Sequence, residues 1–270
     1  MMRPLALITG ASRGIGRCFA EKFVEDGYDV VLVARDEQAL HALASQLTVR
    51  GATSYVIAAD LSDPAAPARL TADLARLELR VDVLVNNAGF ASFGTFAQTD
   101  VQATRAMLEV NIAALSALTH ALLPGMIARG RGGILNVAST AAFQPGPLMA
   151  TYYASKAYVL SFTEALAVEL EGTGVTATVL CPGPTHSSFA GAAGIPHSAL
   201  FDRARFHDPA HVAAAGVEGL RRRQVVVIPG ALNRLRTLGI RFMPRSVVAR
   251  MVERMQRPTA HRLTPSSDAR

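Results

Sequence analysis

The chain has 270 residues, half of them hydrophobic, enough apolar material for one large domain or two small ones. Two cysteines, Cys18 and Cys181, exclude a disulfide scaffold; seven scattered histidines and no Cys-x-x-Cys pair argue against zinc, and a reducing cytoplasm fits this usage. The net charge of +6 is uneven: residues 203–270 hold 14 arginines, no lysine and four acids, so the basic character belongs to the C-terminal quarter.

Short apolar runs alternate with segments of helical spacing. Leu5–Thr9, Val30–Ala34, Ser54–Ala58, Val81–Asn86, Gly133–Ala138, Thr176–Cys181 and Val225–Ile228 read as strands. Most are continuous Val/Ile/Leu/Ala runs, the pattern of parallel strands buried on both faces. Arg3 before Leu5-Ala6-Leu7-Ile8 resembles the start of a signal peptide, but the run is too short for one and reads as a buried first strand. Helical segments fall between the strands, among them Gly16–Asp26, Glu37–Val49, Pro64–Leu77, Val101–Ala128 and Thr151–Leu170. No stretch approaches the ~20 apolar residues of a membrane span. Strand–helix alternation predicts an α/β fold: one doubly wound Rossmann domain over residues 1–256, with about seven parallel strands between two helical layers. The tail, residues 257–270, is rich in Pro, Ser, Thr and Arg and reads as loose.

The first strand ends in Thr9-Gly10-Ala11-Ser12-Arg13-Gly14-Ile15-Gly16. Glycines between a strand and a helix permit a tight turn and close approach to a pyrophosphate, and the helix start offers free N–H groups to the anion. The spacing is G-x-x-x-G-x-G, and a plain strand–helix turn is its bland alternative. Arg35 stands nineteen residues after Gly16, where NAD enzymes usually carry an acid; an arginine there suits a 2′-phosphate. Arg13 offers a second guanidinium. Asp36 is either the NAD-type acid or the cap of the helix that follows, and the balance favours NADP(H).

Only two lysines occur, Lys22 and Lys156. Lys156 lies four residues after Tyr152, so on a helix the two share a face. A neighbouring ammonium lowers a tyrosine pKa, which makes the two a candidate acid/base pair. The same spacing alone also describes an ordinary surface pair.

Together the motifs resemble the short-chain dehydrogenase/reductase family, in its compact single-domain branch. The matching residues are Thr9–Gly16, Asp60-Leu61, Asn86-Asn87-Ala88-Gly89, Asn111, Ser139, Tyr152-Tyr153-Ala154-Ser155-Lys156 and Cys181-Pro182-Gly183-Pro184-Thr185, covering about residues 4–190. The resemblance implies a role for each. Tyr152 exchanges the proton on the substrate oxygen and Ser139 orients that oxygen. Lys156 holds the nicotinamide ribose and lowers the Tyr152 pKa. Asn111 positions a water that links Lys156 to solvent. On the cofactor side, Gly10, Ser12, Arg13, Gly14, Ile15, Gly16 and Arg35 line the nucleotide. Asp60 and Leu61 flank the adenine. Asn87, Ala88 and Gly89 pass behind the adenine ribose and tie central strands together, and Pro182, Gly183 and Thr185 shape the nicotinamide pocket. The bland readings are a turn-capping serine at 139, a carbonyl-bonded, helix-bending asparagine at 111, and a turn at Asp60–Pro64.

Residues 184–206 occupy the place of the family's mobile substrate lid. Phe189, Ile195, Leu200 and Phe201 there, with Phe90, Phe93, Phe96 and Phe143 near other loop ends, suggest a lipophilic or aromatic carbonyl substrate; packing is the alternative. His186 reads as an exposed loop residue. In residues 231–256, two apolar, arginine-studded stretches are split by Pro244. In the second, Val247, Val248, Met251, Val252 and Met255 share one arc and Arg250, Arg254 and Arg257 another, a basic amphipathic helix. It has three destinations: docking on its own domain or a second subunit, an anionic membrane surface, or an acidic partner. No nucleic-acid motif accompanies the arginines. The implied protein is an NADP(H)-dependent alcohol dehydrogenase or carbonyl reductase, a homodimer or homotetramer. A catalytically silent NADP(H)-binding regulator or scaffold is the rival reading.

Overall fold

The computed structural model describes residues 3–185 and 206–257. Seven strands form one parallel sheet: β1 Leu5–Thr9, β2 Asp29–Ala34, β3 Ser54–Ala58, β4 Val83–Asn86, β5 Gly132–Val137, β6 Val175–Leu180 and β7 Val226–Val227. Their order is β3-β2-β1-β4-β5-β6-β7. The chain winds outward from β1 in one direction and from β4 in the other. The crevice beyond the carboxyl ends of β1 and β4 is therefore where such a sheet accepts a ligand.

The strands alternate their side chains between two helical layers, as the two-residue period requires. Ala6 and Ile8 enter a core with Phe19 and Phe23 of helix α1 (Gly14–Glu25), Leu40, Leu43 and Leu47 of α2 (Glu37–Val49), and Val212, Ala213 and Val217 of a helix over Pro209–Arg221. Leu5 and Leu7 enter the opposite core with Leu70 and Leu74 of α3 (Ala66–Arg76), Leu118 and Met126, and Leu166. The helix over Pro209–Arg221 escaped the sequence reading, although Asp208 followed by Pro209 is an N-cap with proline at the first turn. The Asp208 carboxylate accepts from Ala210 N (3.2 Å).

The segment expected as one helix over Val101–Ala128 is interrupted. α4 (Val101–Leu108) passes through a π-helical turn, Glu109–Ala114, into α5 (Leu115–Ala128). Contrary to the hydropathy expectation, this rod is long and apolar enough to cross a membrane by composition, with mean hydropathy 1.5 over an 18-residue window. Its Met107, Asn111, Ala114, Leu115, Leu118, Thr119 and Met126 are buried in the fold. α6 (Ala150–Glu169) packs beside it, and the helix over Pro209–Arg221 becomes α7, followed by α8 (Ala231–Ile240) and α9 (Arg245–Gln256).

A polar ladder crosses the middle of the sheet. Asn86 Nδ2 donates to Asn136 Oδ1 (2.9 Å) and to Thr119 Oγ1 (3.1 Å), and Asn136 Nδ2 donates to Thr163 Oγ1 (2.9 Å), all buried. Side-chain amides on adjacent strands thus fix β4 to β5 and both to α5 and α6. Asn136→Ala strands the Asn86 and Thr163 groups in an apolar layer. It is expected to lower unfolding free energy by about 2 kcal/mol with an unchanged m-value in urea titration, and a loss under about 0.5 kcal/mol would show the ladder to be incidental.

Candidate active site

A cleft of about 1830 Å³ lies over the carboxyl ends of the strands. That exceeds the usual range for one small ligand and leaves room for a dinucleotide with a second molecule beside it. Gly10, Ser12, Arg13, Gly14, Ile15, Gly16, Arg35, Asp60, Leu61, Asn87, Ala88, Gly89, Ser139, Tyr152, Lys156, Pro182, Gly183 and Thr185 all line it. Of the expected site residues, only Asn111 stands behind the wall.

At one end, the glycine loop follows β1. Gly10 (φ +67°) and Gly14 (φ +57°) take left-handed backbone that a side chain would strain. A Cβ on Gly16 would overlap the Gly10 carbonyl and the Asn87 amide. The close packing of loop, α1 and β4 therefore depends on a bare backbone there. α1 starts at Gly14, two residues earlier than expected, so its free N–H groups face the cleft. Asn87 Nδ2 donates to Thr9 O (2.9 Å), while Thr9 Oγ1 accepts from Asn87 N and Ala88 N (3.0 Å each). This is the tie between central strands that the family resemblance implied.

The ambiguity at residues 35 and 36 resolves by geometry. The Asp36 carboxylate accepts from Ala39 N (3.0 Å) and caps α2. Arg13 and Arg35 are exposed at the cleft and engage in no ion pair among the described residues. Asp60 accepts from Ser62 N (3.0 Å); that bond, with the nearby Arg35 charge assisting, holds its carboxyl below the usual range. Glycine cradle, helix start and two free guanidinium groups fit a dinucleotide carrying a 2′-phosphate.

At the other end, Tyr152 and Lys156 point inward from α6. The Tyr152 hydroxyl hydrogen-bonds Ser139, which follows β5. Ser139 Oγ also accepts from Ala141 N (3.1 Å), so it caps a short turn as well. Lys156 Nζ donates to Val137 O (2.9 Å) and lies 5.9 Å from the centre of the Tyr152 ring. Asn111, in the π turn, holds the chain at Phe90: its Nδ2 donates to Phe90 O and Ser155 Oγ (3.0 Å each) and its Oδ1 accepts from Phe90 N (3.1 Å). Both amide hydrogens are spent, so the bland carbonyl-bonding reading describes this side chain. A water linking Lys156 to solvent would have only the remaining Oδ1 lone pair and the backbone carbonyl to use. A Cβ on Gly89 would lie 3.0 Å from Asn111 Oδ1 and 3.3 Å from Lys156 Nζ. Glycine at 89 lets these groups converge.

Burial sets the protonation states. Desolvation raises the Tyr152 pKa well above its ordinary value, with the Ser139 hydrogen bond opposing. The same effect depresses Lys156 to about 8. The expected lowering of Tyr152 by Lys156 is therefore not what the geometry gives. The ammonium sits beside the ring rather than at the hydroxyl, its hydrogen bond goes to Val137, and desolvation dominates. Tyr152 stays a protonated acid across neutral pH.

The substrate end departs further from expectation. Phe90 lines the cleft, whereas Phe93, which packs against the same apolar cluster as Phe90, Phe143, which packs against another, and Phe96, which is exposed, do not line it. Phe189, Ile195, Leu200, Phe201 and His186, and so nearly all of the expected lid, lie outside the described residues. Among the described residues, much of the apolar wall comes from the C-terminal helices. Leu232, Ile240, Met243, Met251, Val252 and Met255 line the cleft, joined by Arg236. Val248 and Val252 of α9 are buried with Tyr152 and Tyr153, and Gln256 Nε2 donates to the Tyr153 hydroxyl (2.6 Å). Docking on its own domain is thus the fate of one face of the amphipathic helix. Tyr153 both packs and lines the cleft.

Sequence reasoning also missed Asn233, whose Nδ2 donates to Pro229 O (2.9 Å) and lies 3.0 Å from His207 Nε2, at the spot a Cβ on Gly183 would occupy. A buried polar residue at the start of an apolar helix was its only signal. His207 and His211 have the four-residue spacing of a metal-binding pair, but their rings stack with centroids 6.5 Å apart. The described residues bring no group of three ligands together.

A family model described as short chain dehydrogenase matches residues 4–194. A short chain dehydrogenase of Pseudocercospora fijiensis is 36% identical over 72% of this chain and 62% of its own length. Sulfoacetaldehyde reductase 2 of Chromohalobacter salexigens is 38% identical over 70% of this chain and 75% of its own. The chain thus spans under two thirds of the first relative and three quarters of the second. Among solved structures, a short-chain dehydrogenase from Sphingobium yanoikuyae in complex with NADPH superposes with TM-score 0.78 and 34% identity, covering 90% of this chain and 97% of that one. With its glycine loop, its Ser139–Tyr152–Lys156 site and a matched span of most of its length, this chain belongs to the short-chain dehydrogenase/reductase family of oxidoreductases.

Proposed function

We propose that this chain is an NADP(H)-dependent oxidoreductase that interconverts a lipophilic or aromatic carbonyl compound and its secondary alcohol. The observation that carries the reading is the Tyr152 hydroxyl, hydrogen-bonded to Ser139 in the cleft with Lys156 on the same helix face. Gly10, Ser12, Arg13, Gly14, Ile15 and Gly16 hold the pyrophosphate side of the dinucleotide, Arg13 and Arg35 its 2′-phosphate, and Pro182, Gly183 and Thr185 its nicotinamide end. The bound cofactor supplies or accepts the hydride. Every other task falls to the protein. In the reductive direction Tyr152, protonated by virtue of its burial, donates its proton to the substrate oxygen as that oxygen gains charge. Ser139 hydrogen-bonds the same oxygen and fixes its distance from the tyrosine. Lys156, held by Val137 O, presents its ammonium to the ribose hydroxyls. Asn111 acts at one remove by setting the path of Gly89 and Phe90. The apolar wall of Phe90, Leu232, Ile240, Met251 and Val252 selects a bulky apolar substrate and excludes water.

Tyr152→Phe removes the proton donor while keeping the ring. Reduction of any ketone or aldehyde found by substrate screening is expected to slow by at least roughly 100-fold, with NADPH affinity preserved. Full turnover in that variant would sink the mechanism. Arg35→Ala is expected to weaken NADPH binding by about tenfold or more and leave NADH nearly unchanged, as read by fluorescence titration. Tighter NADH than NADPH binding by wild type would overturn the cofactor assignment.

The Lys156 pKa gives a pH prediction. An amine with a pKa of about 8 is charged below that pH and neutral above it. The kcat/KM for NADPH, which reports on the free enzyme, is expected to be level below pH 8 and to decline above it as the ammonium is lost. A profile level to pH 10 would show that the charge on Lys156 is not needed for binding.

A further inference from the structure

We infer that the surface made by α8, α9 and the turn between them docks on an anionic lipid bilayer. The inference rests on this surface, and in its choice of a bilayer over an acidic protein it also rests on the lipophilic substrate of the proposed function. Leu232, Leu235, Leu238 and Phe242 are 50%, 66%, 53% and 83% exposed. Leu232, Leu235 and Phe242 follow one another at helical spacing, which places them along one side of the α8 rod and its continuation. Met243, Val247, Met251 and Met255 add exposed apolar surface on the turn and α9. Other side chains of these helices are already spent: Asn233 and Thr237 of α8 and Val248, Val252 and Gln256 of α9 are buried against the domain. This concentration of large apolar side chains on an outward face calls for an occupant.

Charge names the occupant. Residues 231–257 hold seven arginines, Arg234, Arg236, Arg241, Arg245, Arg250, Arg254 and Arg257, against a single acid, Glu253. Glu253 is paired with Arg257 (2.7 Å). Arg236, Arg241 and Arg245 have no ion-pair partner among the described residues, and Arg241 and Arg245 flank Phe242 in the chain, the most exposed of the large apolar residues there. Apolar side chains interleaved with unpaired guanidinium groups suit an interface in which acyl chains lie beneath negatively charged headgroups. A second copy of the chain is a poor occupant, because a two-fold interface would set the same arginines against each other. An acidic protein answers the charge but not the position. Leu232, Met243, Met251 and Met255 are both outward-facing and part of the cleft wall, so the apolar surface runs into the cleft mouth. A bilayer against this face delivers lipid-dissolved molecules to the cleft without passage through water.

The test is flotation of the purified full-length chain with vesicles of phosphatidylcholine alone and of phosphatidylcholine mixed with phosphatidylglycerol. Binding to the anionic vesicles is expected to exceed binding to the neutral ones by at least tenfold and to fall as salt is raised. The double variant L235S/F242S changes two side chains outside the cleft wall. It is expected to lose at least tenfold in vesicle binding while keeping wild-type melting temperature, NADPH affinity and turnover of a soluble substrate. R241E/R245E should lose the preference for anionic vesicles. Absence of binding to anionic vesicles at low salt, or undiminished binding by L235S/F242S, overturns the proposal. So does a concentration-dependent dimer of wild type that L235S/F242S abolishes, since the face would then be filled by a second copy. These readouts need no catalytic turnover to succeed or fail, so they separate the docking surface from the enzymatic reading.

Discussion

The site depends on one small junction at the end of the first strand. Thr9 accepts two backbone N–H groups from the end of β4 through its hydroxyl and one side-chain N–H from Asn87 through its carbonyl. Those bonds lock the glycine loop after β1 against the Asn87-Ala88-Gly89 strip. The strip then runs past Lys156 and Asn111, both of which would be crowded by a side chain at residue 89. The nucleotide end and the chemical end of the cleft are thus held in register through a few residues of irregular backbone. Two parallel strands alone would not fix that spacing, since their loops leave the sheet independently.

Around this junction the fold places charge where charge is costly. Lys156 is buried, and among the described residues its ammonium donates to one carbonyl, Val137 O, at 2.9 Å. Tyr152 is buried beside it and held neutral. A lone buried ammonium with so little compensation favours any partner that brings oxygen lone pairs. The apolar cluster of Met149, Tyr152, Tyr153, Val248 and Val252 holds these side chains in place.

Much of this is legible in the sequence because it depends on local chemistry. Short apolar runs place all seven strands to within two residues at each end, and strand–helix alternation gives the parallel, doubly wound sheet though not its strand order. Glycines 10, 14 and 16 and the Tyr152–Lys156 spacing carry their meaning within a few residues, so the order of residue types is enough to locate them. What stays hidden is set by distant contacts. The direction of the Tyr152 shift depends on how much protein covers the ring, which no spacing reports. The interruption at Glu109–Ala114 carries neither Gly nor Pro, and its one signal was the helix-bending reading of Asn111, which named no π turn. The contributions of Asn233, Arg236 and Gln256 depend on where helices α8 and α9 fold back, well beyond the last motif. Phe96 shows the converse error: an aromatic near a loop end suggests a substrate wall, yet it lies on the surface.

The hydrogen bond between Gln256 and Tyr153 joins residues 103 positions apart. The family match closes at residue 194, whereas the apolar wall of the cleft is completed by residues 231–256. The Ser139–Tyr152–Lys156 cluster and this part of the cleft wall therefore come from separate stretches of the chain that meet at two neighbouring tyrosines. A change in the last few dozen residues would therefore be felt in the cleft through Tyr153, the socket that α9 fills, without altering the strands that carry the glycine loop.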